Sequence, residues 1–120
     1  MDLKNLSFDE KSNLAEDINT PLEILRDLAK DDEWNIRRWV AINPNVSEDL
    51  LRKLATDKSG VVKCHVAMNP KSSSTVLLTL FSHEKSFRDP NRFVLWKLYE
   101  NKNLPLVAKI IIETLYGDMI

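Results

Sequence analysis

The sequence predicts an all-α fold, a short right-handed α-solenoid of about four helix-pair repeats, on three observations. The 120-residue chain matches itself at a shift of 26 residues. Its apolar residues recur at helical rather than strand spacing. It contains two glycines, too few for a protein of tight hairpins or phosphate-cradling loops, which spend glycine where the backbone must turn or approach closely.

The first helix is expected over Phe8 to Glu16, opened by a capping box of Ser7 and Glu10. A full unit follows, in which Thr20 is expected to cap a helix whose first position is Pro21. Ile24, Leu25 and Leu28 share one face of this A helix, and a shorter B helix carries Ile36, Trp39 and Val40. The B helix runs into Asn43-Pro44, where asparagine is expected to take a left-handed backbone and proline to stop the helix.

The second unit repeats this plan. Ser47 caps, Glu48 and Asp49 suit the positive helix start, and Leu50, Leu51 and Leu54 form the A face. Val62 and Val66 then fall on Ile36 and Val40, and Asn69-Pro70 falls on Asn43-Pro44. In the third unit, Leu77 and Leu80 continue the leucine columns, and the register breaks beyond His83. It resumes if six residues are inserted within His83 to Arg92, which puts Val94 on Val62, Asn101 on Asn69 and Pro105 on Pro21. The helix after the insertion is expected to begin near Asp89-Pro90. The single domain of residues 1–120 thus divides into units at about 20–44, 46–70 and 73–101, the last with its insertion at 83–92, and a degenerate cap at 104–120. Neither helix of a unit is long enough to stand alone. Stacking the units buries the apolar faces against one another.

Composition narrows the function classes. With 43% apolar and 29% charged residues the chain is an ordinary globular one. Cys64 is the only cysteine, which rules out an intramolecular disulfide or a cysteine-rich metal cluster and fits a reducing cytoplasm. No signal segment or membrane span is expected. The net charge of −1 hides an asymmetry: residues 1–33 carry ten acidic and four basic side chains, residues 34–109 six acidic and thirteen basic. Such a bipolar chain can steer an anionic partner to one side.

The strings Leu28 to Pro44, LAKDDEWNIRRWVAINP, and Leu54 to Pro70, LATDKSGVVKCHVAMNP, resemble the leucine-rich repeat variant family, relatives of the HEAT-type α-solenoids. The shared pattern is Leu-Ala, an Asp, an apolar and basic pair, Val-Ala and Asn-Pro. The copy around Leu14-Ala15 lacks its proline and the last copy is weak. The resemblance implies an interaction scaffold. Some relatives carry a cysteine-rich iron–sulfur segment, which Cys64 alone cannot reproduce, and certain HEAT-like solenoids bind DNA.

Two sets of residues stand out. Asp31 with Arg37 and Asp57 with Lys63 recur at a spacing of six and read as a ladder holding units in register. Lys11, Arg37 and Lys63 could instead form a basic column for phosphate or carboxylate. The adjacent column, Asn13, Trp39, His65 and Lys97 with Arg38 beside it, changes identity while its neighbours hold, so stacking alone does not set it. Trp, Arg and His are favoured where a partner is gripped. Trp39 and Trp96 fit either core or surface, and Trp34, in the turn, is the more exposed. Cys64 and His65 are helix neighbours pointing about 100° apart, so no nucleophile–base pair is expected.

The expected function is a non-catalytic module binding another protein through the B-helix face and the insertion loop, with Arg37, Arg38, Trp39, Lys63, His65, Phe87, Arg88 and Lys97 in contact. The alternative is a nucleic-acid backbone bound by Arg37, Arg38, Lys63, Lys85, Arg88, Arg92 and Lys97. No metal, cofactor or small-molecule substrate is expected.

Overall fold

The computed structural model describes residues 2–119, which form eight α-helices, two short 3-10 turns and, among the described residues, no strand. The helices are α1 (Phe8–Glu16), α2 (Leu22–Leu28), α3 (Trp34–Ile42), α4 (Glu48–Leu54), α5 (Gly60–Met68), α6 (Ser74–Lys85), α7 (Arg92–Glu100) and α8 (Leu106–Tyr116). The molecule is elongated, 48 × 23 × 17 Å. The odd-numbered helices form a row, α1 on α3, α3 on α5 and α5 on α7, while α4 packs on α6 beside it. Three consecutive pairs, α2 with α3, α4 with α5 and α6 with α7, are flanked by a lone α1 and a lone α8. Among the described residues no helix is long and apolar enough to cross a membrane.

The apolar columns that recur along the sequence are the core. Leu25, Leu51 and Leu77, then Ala15, Ala41 and Ala67, then Ile36, Val62 and Val94 are all fully buried. Side-chain caps open several helices but neither α2 nor α3: Ser7 makes its capping box with Glu10, and Ser47, Ser59 and Ser73 each accept a hydrogen bond from a first-turn N–H.

Three local expectations change. Thr20 is no cap: it is buried, and its hydroxyl donates at 2.6 Å to the Leu14 carbonyl, as the Ser72 hydroxyl does to Val66. A buried carbonyl at the end of the preceding helix needs a donor more than the next helix needs a cap. The helix after the insertion starts at Arg92, two residues beyond Pro90, because the Asn91 side chain accepts from the Phe93 and Val94 N–H groups. Among the described residues no residue has a positive φ, so the Asn-Pro columns owe nothing to left-handed backbone.

Asparagine is there for its side chain. Asn43 Nδ2 donates to the Ala15 carbonyl at 2.7 Å, Asn69 to Ala41 at 2.8 Å and Asn101 to Ala67 at 2.8 Å, each reaching the helix end of the preceding unit. The amide oxygens of the same three residues accept from the N–H two positions on, at Asn45, Lys71 and Asn103. One amide thus closes its own turn and ties two units together. Asp17, the residue that ends α1, holds this column; among the described residues no α-helix precedes α1, and Asp17 keeps the turn alone through Asn19 N–H.

Candidate functional site

Two surfaces of the odd-helix row carry the predicted residues, and the structure separates them. The first is the ion-pair ladder. Lys11 pairs with Asp31 at 2.8 Å, Arg37 with Asp57 at 2.8 Å and Lys63 with Glu84 at 2.8 Å. Each cation takes a carboxylate from the next unit, and each carboxylate also accepts the backbone N–H of a helix-capping residue: Glu33, Ser59 and Asn91. The Arg37 Nη1 reaches the Asp31 and Asp32 carbonyls as well. The spacing of six from Asp31 to Arg37 therefore joins side chain to backbone, and the side-chain pairs are formed between units.

Arg37 and Lys63 are buried, 6% and 5% exposed, and each is paired with a carboxylate, so they are withdrawn from the candidate partner surface. With Lys11 paired to Asp31 as well, the same pairing removes the basic column. Burial pushes the Asp31 carboxyl up, but the Lys11 hydrogen bond, the Glu33 N–H and the Lys11 and Arg37 charges hold it below its ordinary value. The hydrogen bond to Asp57 pushes the Arg37 guanidinium up despite its burial.

Glu84 is the residue that sequence reasoning missed. It lies at the start of the insertion, 1% exposed, seven residues before the cap it serves, whereas Asp31 and Asp57 lie two before theirs. Helix α6 runs twelve residues against seven in α2 and α4, and its extra turn delivers Glu84 to Lys63. The insertion loop is accordingly anchored rather than projecting. Phe87 lies over the Lys63 ammonium at 4.9 Å and edge-on to His83 at 5.0 Å, which shields the buried pair. Arg88 is exposed.

The second surface is the column beside the ladder. Arg38 lies with its guanidinium 5.6 Å from the Trp34 ring and 5.1 Å from the Trp39 ring. Among the described residues it forms no ion pair, and its buried Nε has no hydrogen-bond partner. Trp34 is exposed and Trp39 half-buried against the core. On α5, burial and the Arg38 charge push the His65 imidazole down, which brings residues of α3 and α5 into one field. Burial and the Glu84 charge push the Cys64 thiol up, away from the thiolate a nucleophile needs. On α7, Lys97 lies 4.7 Å from the exposed Trp96 ring and pairs with Glu100 at 3.3 Å.

Below Arg38 the helix ends form an open apolar groove of about 400 Å³, lined by Ile42, Pro44, His65, Met68, Pro70 and Lys71. Met68 also borders a second depression with Lys97, Glu100 and Lys102, so the two run together from α3 to α7. Lys71 Nζ donates to the Pro44 carbonyl across the groove. Among the described residues no cluster of three or more His, Cys, Asp or Glu side chains could hold a metal ion.

Comparison of the chain with family models, with curated proteins and with solved structures finds no match.

Proposed function

We propose that the chain is a short α-solenoid of the leucine-rich repeat variant kind, a cytoplasmic, non-catalytic module. Its α3–α5–α7 surface binds a protein segment that carries a carboxylate beside apolar side chains. The observation that carries this reading is Arg38. Its neighbour Arg37 is saturated by Asp57, yet Arg38 is held between two tryptophans with no carboxylate of its own. Stacking fixes a guanidinium's plane and lowers the entropy lost when a carboxylate docks on it. The groove with Ile42, Met68 and Pro70 supplies an apolar contact alongside, and aromatic and arginine residues of this kind dominate binding energies.

The nucleic-acid alternative loses support from the same geometry. Of its basic set, Arg37 and Lys63 are spent in buried pairs and Lys97 is paired with Glu100. Of the remaining four, which form no ion pair among the described residues, only Arg38 and Arg92 lie on helices of the row, on α3 and α7 with α5 between them. The insertion loop enters the reading through Arg88, since Phe87 covers Lys63.

A displayed peptide library selected on the protein tests the proposal. Ligands should combine Asp or Glu with apolar residues, and Arg38→Ala should weaken them at least tenfold, while Arg52→Ala on the other layer leaves them unchanged. Ligands insensitive to Arg38, or binding to single-stranded and duplex oligonucleotides that falls steeply with salt, would overturn it.

A further inference from the structure

The last helix breaks the pattern of its own layer. In α2 and α4 the outward positions are charged: Glu23 and Asp49 in one column, Arg26 and Arg52 in another, with Arg26 bridging to Asp49 at 3.0 Å. In α6 the same columns hold Thr75 and Leu78, and in α8 they hold Val107 and Ile110. The outward face of α8 is therefore apolar where those of α2 and α4 are charged. Leu106 is 71% exposed, Val107 69%, Ile110 50% and Leu115 65%, while only Ala108 and Ile112 are buried beneath them. Scattered apolar residues on a surface need no explanation, but a strip along one helix does.

We propose that α8 is the interface of a homodimer, packed antiparallel against α8 of a second copy. This rests on α8 alone and is independent of the partner surface on α3, α5 and α7. The charges bordering the strip select the occupant. Lys109 and Glu113 lie four residues apart and therefore on one flank of the helix. Across a twofold axis, antiparallel helices set each flank against its own equivalent. With the axis near Ile111, Lys109 meets Glu113 of the second copy, and Glu113 meets its Lys109. Val107 then lies across from Leu115. The other flank, Val107, Ile111 and Thr114, is uncharged, so no like charges are forced together. The face is complementary to itself in this orientation, whereas a parallel pairing would set the Lys109 and Glu113 flank of one helix against the uncharged flank of the other and form neither ion pair.

Sedimentation equilibrium of the full chain over the micromolar range tests it. The expected mass is twice the 13.9 kDa of one chain. Ile110→Asp should reduce it to one chain with an unchanged helical circular-dichroism spectrum, because Ile110 is half exposed. Lys109→Glu should weaken dimerisation at least tenfold, and Lys109→Glu combined with Glu113→Lys should restore it. A wild-type monomer throughout would overturn the proposal and give the face to a different occupant. A dimer indifferent to Ile110→Asp, or a charge swap that fails to restore what Lys109→Glu removes, would also overturn it.

Discussion

Arg37 and Arg38 are neighbours in α3 and differ in everything but chemical type. Arg37 is buried, bound to Asp57 through two nitrogens at 2.8 and 3.1 Å and to two backbone carbonyls. Arg38, about 100° round the helix, rests on two indole rings without a counter-ion. The first position repeats as Lys11 and Lys63, each with a carboxylate from the next unit. The second becomes Ser12 and Cys64. A side chain that holds units together is constrained by the unit it touches, so its chemistry recurs. One that faces solvent is free to differ, and on α3 it has become an arginine held ready.

The largest expected effects break the constrained side. Glu84→Ala strands the Lys63 ammonium in a buried site and leaves the Asn91 N–H without its acceptor, which should cost about 3–5 kcal/mol in chemical denaturation. Asp57→Ala should cost about 3 kcal/mol, because Arg37 keeps its carbonyl contacts, and the more exposed Lys11–Asp31 pair about 1 kcal/mol. Replacing Lys63 and Glu84 together by methionine should recover most of the loss, since a buried ion pair is seldom better than well-packed apolar side chains. A loss from Glu84→Ala no larger than from Asp31→Ala would mean that the insertion does not complete the ladder.

A smaller effect separates the asparagine columns from the turn they close. Asn69→Asp keeps the acceptor for Lys71 N–H but removes the donor to the Ala41 carbonyl and sets a carboxylate against it. It should cost about 2 kcal/mol, whereas Asp17→Asn, in the column where no earlier helix waits for a donor, should be close to neutral. Equal losses at the two sites would show that the turn, and not the tie between units, is what matters.

The smallest effect sharpens the free side. The folded His65 titrates below its ordinary 6.5, pushed first by burial and then by Arg38. The unfolded chain therefore takes the proton more readily, and stability should decline slightly as pH falls through 6.5. Arg38→Ala should move the His65 titration, followed by NMR, back upward. No movement would mean that α3 and α5 do not share one surface there.

Much of this was legible in the sequence, for physical reasons. Apolar columns and hydroxyl caps are local signals, and Ser7 with Glu10 fixed the start of α1 by spacing alone. The ladder was half legible. Asp31 and Asp57 stood out because they repeat, whereas Glu84 does the same work at another distance from its cap on a longer helix, and a fixed period cannot find it. The asparagine columns were visible, but the reason was wrong. A side-chain amide that reaches the preceding helix end leaves no trace distinct from a left-handed turn. Phe87 looked like a loop tip offered to a partner because nothing in its neighbourhood of sequence announces Lys63, which comes to it through the fold.

The matched pair Arg37→Ala and Arg38→Ala, each measured for unfolding free energy and for affinity toward one selected acidic peptide, tests the division of labour most directly. Arg37→Ala should lose about 3 kcal/mol of stability by stranding Asp57, yet bind the peptide normally where it is folded. Arg38→Ala should unfold within about 1 kcal/mol of wild type and bind at least tenfold more weakly. Lost affinity from Arg37→Ala in the folded protein, with none from Arg38→Ala, would contradict the account.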